Sequence, residues 1–547
     1  MISPTRSLVI FLSLGLAHAQ AWLSYPRLAR PALAVPGDTI QVVFKTPGPS
    51  SPLYLTLLSE FGNIPVAHDD PQTQDTLYVA NAFVPLGSEL GLYSLVINLP
   101  AGSDTQPNAV MIYGVWRDTV RFLHFTDMHI GNSARESQNC ARAVREANLI
   151  NPDFVIITGD IAEKGQVAES PGWYQEFLGI TAGLRVPAFV VSGNHDWYNW
   201  MYVGNEETNY LRIVNPYPDY SFSYGSLLHM LCLDTGPDNI YFDFDSYCYG
   251  FTPSQLSYIG QELSQHQAYP LLFAMMHGPV IDRDDNDDSN KNGKAEFISL
   301  ALAYGLDIAI AGHTHEDRLF LSDGTWVQGD MPDPMPETPY FIQTTTTCKA
   351  DPGAVGYRFV SGDADGVIEF TESGSADRPL RLYNLEEAYY YNPDSTSCAV
   401  VITNANPRCF YDGRVWPRMK PGQQYEVSGP GYMVRQAPSG LCEIAVDSIL
   451  YGTTVLYINT VGISETVAGI HPGLMQRDGI LWAFPGRGTS ASCEVYDGAG
   501  RLVRVLFRGT WDKPMGFDLR QFAPGIYIAV LRVDGDVMSA TRIFVMR

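Results

Sequence analysis

Apolar residues recur along this chain in two rhythms. Over residues 21–116 the segments "DTIQVVF", "LYLTLL" and "LYSLVINLP" alternate or run apolar between the turn-rich "PGPSSP" and "AGSDTQPN". That rhythm predicts a small β-sandwich over 20–117. From about Asp118 unbroken apolar runs take over: "VRFLHFTD", "DFVIITGD", "AFVVSGNHD", "YGSLLHMLCLD", "LLFAMMHG" and "DIAIAGHTH". Strands that do not alternate must be covered on both faces. Between them lie helical stretches, one starting near Ser133, one in "WYQEFLGITAGL", one opening at Thr252 with Pro253 at its first position, and "KAEFISLALAYG". Residues 118–375 therefore read as an α/β domain. β signals return in "SCAVVITNANPRCFY", "QQYEVSG" and "TTVLYINTV", a further β domain over 376–475, and again over 480–547 as a C-terminal β-sandwich.

Polar clusters sit where the apolar runs of the α/β region end. Asp127-Met128-His129, Gly159-Asp160, Gly193-Asn194-His195-Asp196, His277-Gly278 and Gly312-His313-Thr314-His315 each follow a predicted strand, and they hold five of the chain's eleven histidines. In open α/β sheets the carboxyl ends of the strands form one crevice, so these loops converge. A single such cluster is ordinary turn chemistry; five in series predict a site.

The two ends of the chain bear on where it works. Arg6, the short apolar run "SLVIFLSLGLA" and the A-x-A sequence Ala17–Ala19 predict a signal peptide over 1–19. No later stretch approaches the ~20 apolar residues of a membrane span, so no transmembrane segment is expected. Export makes disulfides permissible among Cys140, Cys232, Cys248, Cys348, Cys398, Cys409, Cys442 and Cys493, whose spacing contains no C-x-x-C and leaves the pairing open. A net charge of −24 excludes duplex nucleic acid as an expected partner. An anionic substrate would need local positive charge, such as a metal.

The order D-x-H, G-D, G-N-H-D, H-G and G-H-T-H resembles the calcineurin-like metallophosphoesterase superfamily over about residues 118–375. The resemblance implies a four-layer α/β sandwich, here flanked by β-sandwich domains, that holds two metal ions. Carried over residue by residue, Asp127, His129 and His315 ligate one ion, Asn194, His277 and His313 the other, and Asp160 bridges them. Two such ions neutralise a phosphoester, activate a water and stabilise the leaving oxygen. The donor types suit divalent or trivalent first-row ions, Mn, Fe, Zn, Co or Ni. His195 is left as the catalytic side chain, a general acid or a phosphate contact. Asp196 is expected to close the turn. Glu163 and His129 stand where purple acid phosphatases have other residues, and "GNHDWY" departs from the usual 5′-nucleotidase motif. The set is similar to the bacterial phosphodiesterase-like branch.

Other residues have blander expectations. His124 and His229 read as satisfied core histidines, His266 and His471 as surface positions, Asp234 as a turn residue, and His68 with Asp69 and Asp70 as a polar loop. Trp197, Tyr198 and Trp200 fit core packing better than a pocket wall, and Tyr389, Tyr390 and Tyr391 fit sheet packing better than a carbohydrate patch. Asp288, Asn290, Asn292 and Gly293 partly match a calcium loop, but Ser299 occupies the place of its closing Glu, which favours a solvated loop.

Residues 480–547 resemble the C-terminal sorting domains of the bacterial type IX secretion system, in Pro524-Gly525-Ile526-Tyr527, Asp534-Gly535 and a basic-apolar last strand with Arg542 in place of a common lysine. That resemblance implies secretion machinery as a partner. The expected protein is a secreted or extracellular bacterial phosphodiesterase or phosphomonoesterase, possible attachment to the cell surface included. The alternative is a cell-surface binding protein that uses the metallophosphoesterase fold as a scaffold. If residues 480–547 are a sorting tail, deleting them strands the protein in the periplasm and secreted protein lacks them. An intact C-terminus on secreted protein, read by mass spectrometry, overturns this.

Overall fold

In a computed structural model of the chain, the unbroken apolar runs are strands without one exposed position: Phe154–Thr158, Ala188–Val191, Leu228–Leu233, Leu271–Met276 and Ile308–Ala311. The structure describes residues 22–199, 207–237, 250–282, 292–330, 337–349, 355–370, 379–461, 473–477, 480–484, 489–497, 501–511, 515–523, 525–533 and 536–545. The expected leader, Trp200, Cys248, Asp288, Asn290, His471, Pro524 and Asp534-Gly535 lie outside the described residues. The fold is mixed α/β with strands predominating. The described residues form two compact units, one of 22–141, 153–349 and 357–370, the other of 142–152, 355–356 and 379–545. No described helix is long and apolar enough to cross a membrane.

Two sheets organise the α/β region of the first unit. In one, Ala188–Val191, Phe154–Thr158 and Thr119–Phe125 run parallel, and Gly356–Asp363 continues antiparallel. In the other, Leu228–Leu233, Leu271–Met276, Ile308–Ala311 and Tyr340–Gln343 are parallel, with Tyr220–Tyr224 at one edge and Arg318–Leu321 and Trp326–Val327 at the other. The sheets meet through Phe122 against Phe273, with ring centroids 6.0 Å apart, and through Phe189 stacked on Phe222. Because side chains alternate along a strand, Leu272, Ala274 and Met276 point the other way. There, with Leu231 and Leu233, they receive Ile259 and Leu263 of helix Pro253–His266 and Phe297 and Ala301 of helix Lys294–Tyr304. Thr252 caps the former helix: its hydroxyl accepts from Gln255 N–H, whose side chain accepts from Thr252 N–H. The helix expected near Ser133 spans Ala134–Ile150. Arg318–Leu321, Trp326–Val327, Tyr340–Gln343 and Tyr220–Tyr224 are strands that the sequence pattern does not predict. Each has five residues or fewer, too short for periodicity to separate from a loop.

The N-terminal region forms a nine-stranded sheet whose hydrogen-bonded path runs over eight strands from Trp22–Tyr25 to Ala32–Ala34, with Gln72–Gln74 paired to Leu77–Phe83 off that path. Asn63–His68 pairs with Tyr54–Leu58 on one side and with Leu77–Phe83 on the other. Val42, Phe44, Leu57, Leu95 and Ile97 share its core. His68 is therefore a strand terminus rather than a loop residue, its ring nitrogens 2.7 Å from the Asp69 carbonyl and 2.8 Å from that of Leu53.

The second unit is built mainly of small antiparallel sheets. Ser397–Asn404 lies between Leu385–Tyr391 and Gly452–Thr460, and Cys442–Ile449 between Phe410–Val415 and Gly431–Gln436. The hydroxyls of Tyr389 and Tyr391 accept from the N–H groups of Trp416 and Arg418; Tyr389 is half-buried, as sheet packing expects, while Tyr390 and Tyr391 are exposed. Gly473–Arg477 pairs with Ile480–Phe484, a hairpin across the boundary expected at 475–480. Thr489–Asp497 and Gly525–Val533 bring Cys493, Val495, Ala529 and Leu531 into a separate core. The seven described cysteines are free thiols, so no disulfide joins described residues.

Candidate active site

Five loops leave the carboxyl ends of parallel strands. Asp127 stands two residues beyond Phe125, Asp160 two beyond Thr158, Asn194 three beyond Val191, His277 directly after Met276, and His313 two beyond Ala311. The turns are tight enough to force unusual backbone: Asp127, His129, Asp160, His313 and His315 all have φ between 47° and 69°. A side chain with a Cβ pays for that left-handed region unless its surroundings over-determine it. The glycines allow the loops to touch. A Cβ on Gly193 would lie 2.4 Å from Asp160 Oδ1, and one on Gly312 would lie 1.8 Å from Thr126 Oγ1.

The expected residues gather in two adjoining sets. His129 Nε2 is 3.8 Å from Asp127 Oδ1, and His315 Nε2 is 3.1 Å from the same oxygen. In the second set Asn194 Oδ1 lies 2.9 Å from His277 Nε2 and 3.1 Å from His313 Nδ1. Asp160 faces both: Oδ2 is 3.3 Å from His129 Nε2, and Oδ1 is 3.2 Å from His277 Nε2. His195 is beside the first set, its ring 4.6 Å from that of His129 and its Nε2 4.0 Å from Asp160 Oδ2.

Outer partners aim these groups. His277 Nδ1 is 2.7 Å from the Thr158 carbonyl, which leaves Nε2 facing inward. Asn194 donates its amide to the Tyr198 hydroxyl at 2.8 Å, so its oxygen is the atom turned to the histidines. Asp127 Oδ2 accepts from the His313 N–H and the Thr126 hydroxyl. Asp196 accepts from the N–H groups of Gly193, Ile161 and Ala162 and from the Tyr174 hydroxyl, tying two loops together as well as closing its own turn.

Two buried atoms test whether the set fits a cation. Asp127 Oδ1 and His129 Nε2 have no hydrogen-bond partner, and both belong to the set pointed at one small volume. An orphaned carboxylate oxygen and imidazole nitrogen are costly to bury unless something positive meets them. The electrostatics agree. Burial would raise the Asp127 and Asp160 carboxyls, yet the surrounding imidazoles hold both well below the usual range. Burial would lower His277, yet Asp160 and Asp127 raise it to about 9. The donor set fits first-row metal ions.

Two participants escaped the sequence reading. Glu163, lowered to about 2 against the effect of its own burial by His129, places Oε2 2.8 Å from His129 Nδ1. A carboxylate cannot donate, so Nδ1 carries a hydrogen, and Nε2 holds the lone pair whenever the ring is neutral. Burial would lower the His129 pKa, yet Asp127 and Glu163 raise it, so an ion bound at Nε2 competes with a proton there. The Glu163 carbonyl also lies 2.6 Å from His195 Nδ1. Burial lowers His195 to about 4 despite Asp160. Lys349 lies beside this pair, with Nζ 3.4 Å from Glu163 Oε2. Only spatial neighbourhood reveals them, since Lys349 is 220 residues from His129.

The remaining candidates lie elsewhere. His124 is buried with its ring nitrogens 2.8 Å from Thr344 Oγ1 and 2.6 Å from Thr158 Oγ1, a satisfied core histidine. Asp234 Oδ1 accepts from Ser192 and from Gly236 N–H, in keeping with a turn role. Tyr198 is buried, and Trp197 is half-buried. Ser299 is inside a helix and bonds the Ala295 carbonyl. His266, expected at the surface, is half-buried and stacked on His229 at 3.6 Å and 6°, with Glu262 beside both. Their ligand atoms lie close together, but nearly parallel rings with centroids 3.6 Å apart cannot both hold one ion in plane, which makes this a poor metal site.

Residues 120–317 match the family model of the calcineurin-like phosphoesterases. A probable cyclic nucleotide phosphodiesterase of Rhodopseudomonas palustris is 35% identical over 85 residues, which are 14% of this chain and 30% of that relative. The chain thus spans under a third of that relative's length. Among solved structures, GAP50, the anchor in the inner membrane complex of Plasmodium, is 13% identical with a TM-score of 0.34, covering 48% of this chain and 89% of that one. TT1561 of Thermus thermophilus is 12% identical with a TM-score of 0.30, covering 46% and 98%.

Two outcomes check the site. Asp160→Ala removes the carboxylate both sets face, so elemental analysis should find close to two ions fewer per chain, against a loss centred on one ion for His129→Ala; two tightly held ions in Asp160→Ala overturn the sharing. Second, His277 is protonated at pH 7 without an ion, since its pKa is about 9, and must shed that proton to bind one. Calorimetry of metal uptake in two buffers of different ionisation enthalpy should therefore show proton release at pH 7, and affinity rising with pH up to about 9.

Proposed function

We propose that this chain, which carries the calcineurin-like phosphoesterase domain of a metal-dependent phosphoester hydrolase, is a secreted enzyme that holds two metal ions and cleaves a phosphodiester or an organic phosphate monoester outside the cell. The observation that carries the reading is Asp160, whose two oxygens face different histidine sets. Asp127, His129 and His315 would hold one ion, Asn194, His277 and His313 the other, and Asp160 both. Two such ions, when bound, neutralise the phosphoester and supply a strong nucleophile at neutral pH. The predicted leader and the sorting-domain resemblance support export. The name of the R. palustris relative favours the diester.

The chain's own contribution is position and one proton. Asn194 is held as an oxygen donor by Tyr198, His277 by the Thr158 carbonyl, and His129 by Glu163. His195 has its Nδ1 hydrogen committed to the Glu163 carbonyl, so Nε2 is the nitrogen offered to substrate. With a pKa of about 4 that nitrogen is bare in the free protein at neutral pH. A phosphoester anion beside it favours protonation, and the proton gained at Nε2 can pass to the leaving oxygen or stay as a donor to a phosphate oxygen.

Full-length, metal-loaded protein should hydrolyse bis-p-nitrophenyl phosphate or p-nitrophenyl phosphate, and the rate ratio separates diesterase from monoesterase; inactivity on a broad phosphoester panel sinks the reading. His195→Ala separates the two uses of its proton. General acid catalysis contributes ~10²–10⁴-fold, so the variant should lose on that order with an alkyl ester and much less with a nitrophenyl ester, whose leaving group needs no proton. Equal losses with both ions retained assign His195 to the phosphate instead.

A further inference from the structure

Lys349 follows the buried run Thr344 to Cys348 and reaches the site from the side opposite the metal-facing nitrogens. Its Nζ is 3.3 Å from His129 Nδ1 and 3.4 Å from Glu163 Oε2. The first contact is not a hydrogen bond, because Nδ1 already donates to Glu163 at 2.8 Å and an ammonium has only donors. The second is long for an ion pair. An ammonium carries three N–H groups, and among the described residues its ion pair is with this carboxylate. The side chain is 28% exposed while His129 is fully buried, so Lys349 borders both the site and solvent.

Position says what it can touch. The ion-facing nitrogen of His129 is Nε2 and the one beside Lys349 is Nδ1, so an imidazole ring separates the ammonium from the ion position. Lys349 is therefore not one of the groups that face the ion positions directly. It lies instead on the flank that Glu163 shares with His195, whose Nδ1 is 2.6 Å from the Glu163 carbonyl. Lys349 and the proposed proton donor His195 thus share one residue as neighbour, and the ammonium's charge is felt at the His195 ring.

Resting on the proposed phosphoester hydrolysis, we infer that Lys349 is a specificity-determining residue: its ammonium, held in place by Glu163, receives a second anionic group on the substrate's leaving side, about one aromatic ring away from the phosphate that is cleaved. The substrate class is then a phosphoester whose alcohol portion carries its own carboxylate or phosphate.

The test uses full-length, metal-loaded protein with phenyl phosphate and 4-carboxyphenyl phosphate, each also as its methyl diester. Comparing variant with wild type on each substrate cancels the difference in leaving-group chemistry. Lys349→Met should lower kcat/KM for the carboxylated ester about tenfold more than for the plain one, the effect of one charge-assisted contact, and Lys349→Arg should restore most of it. Calorimetric binding of phenylphosphonate and 4-carboxyphenylphosphonate should show the same loss of preference without any turnover. Equal losses on both esters, with the phosphonate preference unchanged, overturn the inference and leave Lys349 as a counter-charge to Glu163. If the wild type cleaves none of the four esters, the broad phosphoester panel decides on the proposed hydrolysis separately. The phosphonate pair then decides on Lys349 alone, which is overturned if Lys349→Met binds the two in the wild-type ratio.

Discussion

The arrangement around Asp160 depends on one carboxylate being held between histidines that come from different sheets. His129 follows the first sheet's strand Thr119–Phe125 and His277 follows the second sheet's Leu271–Met276, yet both present Nε2 within 3.3 Å of the same side chain. Asp160 cannot drift toward either. Its Oδ1 is pinned by the His195 N–H at 2.9 Å, and the absence of a side chain on Gly193 lets that loop press against it. Face-to-face packing of the two sheets, through Phe122, Phe273, Phe189 and Phe222, is what sets the distance between the two loop groups. Burial in the sheets thus acts on chemistry several residues away.

The left-handed backbone at five site residues belongs to the same constraint. Each such residue costs on the order of 1–3 kcal/mol, and the cost persists only where the surroundings enforce it. Here the enforcement is visible at Asp127, whose Oδ2 is bonded by Thr126 and by the His313 main chain, and at Asp160, which lies against Gly193. Asp196 adds the cross-tie between the loop after Phe154–Thr158 and the loop after Ala188–Val191.

Much of this was legible along the chain because strand ends and glycines are local signals. Unbroken apolar runs marked the strands, Gly159, Gly193 and Gly312 marked the turns, and the polar residues after them marked the site. His124 read as a core residue for the same reason: it sits inside an apolar run. What did not read was whatever depended on a distant partner. Glu163 and Lys349 matter only because folding places them on one imidazole, and His266 left the surface because His229 offers it a ring to lie on. Short strands such as Arg318–Leu321 gain their identity from Tyr340–Gln343 and Trp326–Val327 on either side, not from four residues of pattern.

Asn194 has a consequence for how so acidic a protein could attract an anion. As an amide locked by Tyr198, it brings an oxygen to the site and no charge. The proposed donors then include only two carboxylates, Asp127 and Asp160, with imidazoles and the amide supplying the rest. Two divalent ions among them would leave a surplus of two positive charges, and an aspartate at 194 would halve it. Against a net charge of −24 for the whole chain, that surplus is a small, screened well in a repulsive field. Substrate capture should consequently grow easier as salt rises and the chain's net negative charge is masked, the reverse of what a basic phosphate-binding protein shows.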